Sequence, residues 1–343
     1  MISQIPFLIA EISANHCGNY NMAKKLILCA KKNGADAVKL QTYTADTMTI
    51  RSSKKYFQIK EGLWKGFNLW SLYDEAKTPL SWHKKLFLYG KKIGIKVFST
   101  PYDETAVDFL EKLNCPIYKV ASFEMTDIPL IKKIASKKKP MIISTGMANL
   151  SEIEQTVKTA RKFGAKDITL LYCVSNYPSK PSDFNLNNIK LLKKKFNCKV
   201  GFSDHSTDSR IAMSAIIAGA EVIEKHIALD NQKNGLDIEF SVRGKKLKKF
   251  RDDIDFAYKI LGTNKFLRSK SEEKSKKFRR SIFIAQDIKK GEKFTKQNLR
   301  RIRPGFGVSP TYYEKILGRK SPFNLKKENP FKKSYLKALG IKV

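Results

Sequence analysis

Lys199-Val200-Gly201-Phe202-Ser203-Asp204-His205-Ser206 reads as a strand with a polar end. The helical stretch Ser209–Ala218 follows, Gly219-Ala220 stops it, and Val222–Ile227 opens a second strand. Strand, helix, glycine stop and strand make one βα unit and the beginning of the next. The unit recurs upstream. Strand-like runs lie at Phe7–Ser13, Ala37–Tyr43, Lys96–Pro101, Ile117–Ser122, Met141–Gly146 and Ile168–Cys173. Helix-like stretches follow at Met22–Asn33, Ser81–Ile93, Glu104–Leu113, Ile128–Ser136, Ser151–Phe163 and Leu186–Lys195, and Lys245–Leu261 closes the series. One long excursion, between Thr44 and Pro79, breaks the spacing. Eight units over residues 1–262 predict an α/β chain closed into a (β/α)8 TIM barrel.

Beyond Gly262 the pattern changes. Residues 263–278 are polar and read as a linker; 279–343 carry short segments and the turn Lys289-Lys290-Gly291-Glu292, which predict a small strand-rich second domain. So small a domain is marginal alone and is expected to dock on a barrel, its own or a partner's. The 343-residue chain has 42% hydrophobic residues, which excludes a disordered chain. No basic stretch precedes the apolar Phe7–Ala10 and Glu11 ends it, so neither a cleaved leader nor a membrane partner is expected. Five scattered cysteines without a paired motif suit a reducing cytoplasm. The net charge of +35 raises a nucleic-acid reading, with a basic binding protein or a non-catalytic barrel as the alternative class. Of 67 basic residues, however, only 12 are arginine, and the lysines spread over nearly every helical segment instead of forming a stripe. The excess is read as solvated surface, with no specific nucleic acid as partner.

Barrel chemistry gathers where strands end, and those ends are polar here: Glu11 to His16, Lys39 to Thr42, Ser99-Thr100, Lys119 to Glu124, Ser144-Thr145-Gly146, Ser175 to Pro178, Ser203 to Ser206 and Glu224-Lys225-His226. Lysines inside apolar strands are costly unless an anion meets them. Lys39 and Lys119, with Lys225 as a third candidate and with Thr100, Ser122, Ser144 and Ser203, make a cradle for phosphate and carboxylate; on outward faces they would simply snorkel. His205 and His226 end adjacent strands and form a candidate divalent-metal pair, with a structural role as the alternative. His83 reads as structural, and His16 as either. Phosphate-loop and hydrolase-elbow motifs are absent.

In this order, Ala10 to His16 with Gly18, Lys39-Leu40-Gln41-Thr42, Ser99-Thr100-Pro101, Tyr118-Lys119, Ser144 to Met147, Tyr177-Pro178, Ser203-Asp204-His205 and Glu224-Lys225-His226 resemble the sialic acid synthase family. Asp287 to Glu292 and Arg303-Pro304-Gly305 resemble its antifreeze-like (SAF) C-terminal domain. The resemblance spans essentially the whole chain. It implies a metal-dependent condensation of phosphoenolpyruvate with the aldehyde of an N-acetylated amino sugar, giving a nine-carbon 2-keto acid and phosphate. By the same resemblance Lys39, Gln41, Thr100, Lys119, Ser122, Ser144 and Ser203 hold phosphoenolpyruvate, and His205 and His226 hold Mn²⁺, with Mg²⁺ or Co²⁺ as alternatives. Glu11, Glu124 and Asp237 are the proton-transfer, metal-water or hydroxyl-binding candidates. Ser175 and Tyr177 shape the sugar site, and Arg303 enters the barrel of a partner subunit in a domain-swapped homodimer. Ser175 stands where neuraminate-forming members carry asparagine, and Gly62-Leu63-Trp64, Leu72-Tyr73 and Trp82-His83 look like the pseudaminic acid synthase branch. Its acceptor is a 2,4-diacetamido-2,4,6-trideoxy-altrose; neuraminate and legionaminate synthases are the neighbouring alternatives. The aromatic residues of the excursion either meet that sugar's apolar edge or pack an inserted helix.

Overall fold

A computed structural model describes residues 6–263 and 265–342. Residues 1–5, 264 and 343, at the outer ends of the two expected domains and in the expected linker, lie outside the described residues. Eight strands run in sequence: β1 Phe7–Glu11, β2 Ala37–Thr42, β3 Lys96–Pro101, β4 Tyr118–Val120, β5 Met141–Ser144, β6 Ile168–Cys173, β7 Lys199–Asp204 and β8 Val222–Ala228. Each pairs in parallel with the next, and β1 pairs with β8, so the sheet closes into the expected barrel. A two-residue strand, β9 (Val242–Arg243), pairs in parallel with the end of β8.

Strands packed on both faces must be apolar on both faces. Leu8, Ile9, Ala10, Leu170, Leu171 and Phe202 are accordingly buried, inward residues filling the barrel and outward ones meeting the helices. Helix Glu104–Lys112 buries Ala106, Val107 and Leu110 on one stripe and starts at Asp103, whose carboxylate accepts from Thr105 N and Ala106 N. Glycine is needed at position 201: a Cβ there would lie 2.4 Å from the Val222 carbonyl oxygen of the neighbouring strand.

The excursion after β2 is ordered chain. It contains helices Ala45–Met48 and Leu69–Ala76, the latter capped by the Asn68 side chain. The remainder of the chain is a second compact unit, Thr263–Val343, with its own core of Ile282, Ile284, Phe294, Leu299 and Phe331 beneath the hairpin β10 (Ser281–Ile284) and β11 (Leu299–Ile302). The stretch read as a plain linker holds a helix, Lys270–Lys274. Ser269 and Glu272 cap it reciprocally, a signal present in the sequence. Among the described residues no helix is long and apolar enough to cross a membrane.

Candidate active site

Side chains alternate along a strand, so residues two apart share a face. On β8, Glu224 and His226 face the barrel mouth while Lys225 faces away, buried 3.2 Å from Asp204 Oδ2 and donating to the Asp204 and Ser206 carbonyls. Lys225 is therefore a wall residue, outside the anion cradle. Lys39 and Lys119 do reach the mouth, where a pocket of about 370 Å³ is lined by both lysines, Gln41, Ser122, Glu124, Ser144, Tyr177, Ser203, His205, His226 and Asp237.

Its floor is a tight charge network. Lys39 Nζ lies 2.5 Å from Glu11 Oε2 and 3.8 Å from Glu224 Oε1, and donates to Thr100 Oγ1 at 3.2 Å. Lys119 Nζ donates to Ser144 Oγ at 2.7 Å and lies 3.7 Å from the same Glu224 oxygen, which also accepts from Ser203 Oγ at 3.0 Å. Two ammonium groups thus share one carboxylate. Burial pulls the Lys39 ammonium down, but Glu11 and Glu224 outweigh it and its pKa stands above the ordinary lysine value. Lys119 goes the other way, because burial exceeds what Glu224 returns. Burial pushes the Glu11 carboxyl up to about 7 against the pull of Lys39. Burial also opposes ionisation of Glu224, yet Lys119 and Lys39 together hold that carboxyl below its usual range.

The imidazoles sit beside this floor, ring centroids 5.6 Å apart, with Phe240 edge-on to both. His205 Nδ1 lies 3.0 Å from the Val174 carbonyl and must donate to it, which leaves Nε2 as the lone-pair nitrogen. Burial lowers His205 to about 4; burial, His205 and the nearby lysines hold His226 well below its ordinary value. Both rings are neutral, the form that binds metals. His226 Nδ1 is buried without a hydrogen-bond partner, 3.6 Å from Asp237 Oδ2. This donor set fits a divalent cation of nitrogen and oxygen preference. Among the described residues no three His, Cys, Asp or Glu side chains converge on one point, so solvent or substrate would complete the shell.

Glu124 is half-buried, its Oε2 has no partner, and burial pushes its carboxyl up to about 7 despite Lys119. Glu11, by contrast, lies behind Lys39, its other oxygen accepting from Ser13 N at 2.7 Å. Thr100 likewise reaches the pocket only through Lys39. Ser175 lines a neighbouring groove with Met147 and Leu191 and lies outside the lining of this pocket. Arg303 is exposed on the second unit just past β11. His83 bonds Thr42 Oγ1 at 2.8 Å and His16 bonds Thr78 Oγ1 at 3.2 Å; both are structural.

Two functional residues carried no assignment from sequence. Glu224 was signalled by its place two residues before His226. Ser13 was not. It adopts φ 40° and accepts from Gln41 Nε2 at 2.9 Å, tying the ends of the first two strands together at the pocket wall.

Residues 26–266 match the NeuB family model and 279–337 the SAF domain model. The chain is 42% identical over 320 residues, 93% of each protein, to pseudaminic acid synthase of Campylobacter jejuni. It is 41% identical over 328 residues to the Helicobacter pylori enzyme of the same name, covering 95% of this chain and 96% of that one. Among solved structures, N-acetylneuraminic acid synthetase of Leptospira borgpetersenii matches with TM-score 0.72 and 32% identity over 79% of this chain and 90% of that one.

Proposed function

The chain belongs to the NeuB family, and from that premise we propose that it is a pseudaminic acid synthase. It condenses phosphoenolpyruvate with 2,4-diacetamido-2,4,6-trideoxy-altrose. One observation carries the reading: two buried lysines and two buried imidazoles face a single pocket at the strand ends. Lys39, Lys119, Ser144 and Ser203 hold the phosphate and carboxylate of phosphoenolpyruvate, with Gln41 and Ser122 beside them. C3 of phosphoenolpyruvate bonds to the aldehyde carbon, and water adds at C2 and returns one proton to the acid that served the aldehyde oxygen. The C2–O bond to phosphate breaks as the C2 hydroxyl becomes the ketone and its proton leaves with phosphate. Glu124, poised near neutrality, gives the proton that the aldehyde oxygen takes up. Asp237, beside His226, orients water or a sugar hydroxyl. Glu11 acts one layer back by positioning Lys39. His205 and His226 hold a divalent cation, Mn²⁺ in this reading, which when bound polarises the aldehyde. Arg303, exposed on the small unit, supports a homodimer in which each SAF unit completes the partner's site. Five free cysteines support a reducing, cytoplasmic setting.

The test supplies phosphoenolpyruvate and Mn²⁺ with one acceptor at a time: the trideoxy-altrose, the legionaminate precursor or N-acetylmannosamine. Phosphate release and a nine-carbon keto acid with the altrose are expected. Release with N-acetylmannosamine alone overturns the acceptor.

A further inference from the structure

The pocket has a polar floor on the strand ends and an apolar roof contributed by the connections after β2 and β8, two short helices among them. Met48, Ile59, Leu69 and Leu72 of the excursion after β2 face Leu236 from the loop after β8. Trp64 closes the span, its Nε1 donating to the Leu236 carbonyl at 3.1 Å while its ring meets Tyr177 at 5.7 Å. That bond uses the indole's one donor, so Trp64 offers a ligand only its ring. The roof is anchored as well as apolar. Trp70 Nε1 donates to Asp46 Oδ1 at 2.8 Å, and Asn68 Nδ2 to the Ser52 carbonyl at 2.7 Å. The tyrosines that also line the pocket, Tyr43, Tyr73 and Tyr102, are gathered into their own edge-to-face cluster.

We propose that this roof is a specificity subsite for the terminal carbon of the acceptor, selecting a methyl group over a hydroxymethyl group, with Leu72 and Met48 as its determinants. The inference rests on the synthase reading above. Carbon–carbon bond formation requires the acceptor's aldehyde over the floor, next to Lys119, Ser144 and the imidazoles. The far end of an open-chain sugar then points away from the strand ends, into the roof. A methyl group there exchanges water for apolar contact. A hydroxymethyl group loses its water and meets, on Met48, Ile59, Leu69, Leu72 and Leu236, nothing better than the weak acceptor of the Met48 thioether. Apolar walls reject an added hydroxyl only moderately, by roughly 10- to 100-fold, so the subsite grades acceptors and does not exclude them absolutely.

The experiment compares kcat/KM for two acceptors that differ only at C6: the trideoxy-altrose and its 6-hydroxy counterpart. Wild type is expected to favour the methyl sugar by roughly 10- to 100-fold. Met48→Gln, close to isosteric at a half-buried position, and Leu72→Asn should each narrow that ratio by roughly five- to tenfold, the worth of one recovered hydrogen bond. Leu72 is buried, so thermal melts accompany its variant, and Met48→Gln decides the matter if Leu72→Asn does not fold. A wild-type ratio near one, or a ratio unchanged in Met48→Gln, overturns the subsite while leaving the synthase reading intact. Failure of wild type on both altroses with turnover of N-acetylmannosamine overturns the acceptor reading and the subsite with it, visibly before any variant is compared.

Discussion

Replacing each floor lysine by methionine separates structural from ligand-directed charge. Lys39 touches two carboxylates, at 2.5 Å in Glu11 and 3.8 Å in Glu224, whereas Lys119 shares only Glu224, at 3.7 Å. Lys39→Met strands Glu11, which is fully buried, and removing one partner of a buried pair costs about 3–5 kcal/mol. At about 2–4 °C per kcal/mol for a domain of this size, the melting temperature should fall by roughly 6–20 °C. Lys119→Met leaves Glu224 its contacts with Lys39 and Ser203, so its cost should stay nearer about 1 kcal/mol. Its loss appears instead in substrate use. One charge-assisted bond to phosphate or carboxylate is worth about 1.5–3 kcal/mol, which raises the KM for phosphoenolpyruvate by roughly 10- to 150-fold. The Lys39 deficit also depends on pH. The Glu11 carboxyl already titrates near 7 when folded, above its ordinary value, and losing Lys39 raises it further. A raised carboxyl favours the fold below its unfolded pKa and loses that contribution as pH climbs through the folded value. The Lys39→Met melting deficit should therefore be smaller at pH 5.5 than at pH 8. Thermal melts at both pH values and phosphate-release kinetics measure all three effects. Equal melting losses in the two variants, or a Lys39 deficit that grows toward acid, would refute the charge assignment.

Mn²⁺ should raise the melting temperature of the wild type, and His226→Ala should remain folded, lose that rise and lose nearly all turnover; an undiminished Mn²⁺ shift in the variant removes the metal assignment. Glu124→Gln should lower kcat by roughly 10²–10⁴-fold with little change in phosphoenolpyruvate binding. Because Glu124 must be protonated to act and titrates near 7, wild-type kcat should fall on the alkaline side of that value, and a wild-type profile flat through neutrality counts against it. Arg303→Ala should raise the acceptor KM more than that for phosphoenolpyruvate, and mixing it with His226→Ala should recover part of the activity if each site is shared between subunits. Failure to recover any activity in mixed dimers argues against the shared site.

The barrel was legible because its signal is repetitive: each strand is an apolar run bounded by a polar end and a glycine stop, and errors of a residue or two do not alter the count. Strand β1 shows such an error, ending at Glu11 instead of Ser13, because the backbone turns into a 3-10 helix at Ser13. Candidate residues on strands that the structure gathers round one pocket were also legible, since a lysine or histidine within an apolar run announces itself. What escaped was orientation. Lys225 and Glu224 are neighbours with opposite roles, and only a fixed inward face on β8 separates them. The roof was the least legible part, because no periodicity links residues 48, 59, 64 and 72 to Leu236; a hydrogen bond across 172 residues does.

Charge shows most plainly why local geometry had to complete the sequence. The net +35 suggests a basic site, yet the floor is close to balanced: Lys39 and Lys119 stand against Glu11 and Glu224, and both imidazoles are neutral. An entering trianion such as phosphoenolpyruvate does not meet a ready positive field. It must redirect Lys119 Nζ from Ser144 and draw on Lys39 while both remain near Glu224. A carboxylate between two ammonium groups keeps them apart and oriented in the free protein. It also weakens their grip on an anion, and that moderation suits a site that must release phosphate as a product. Selection here acts through where the few interior charges sit, while the lysine excess on the outer helices has no part in the floor's balance.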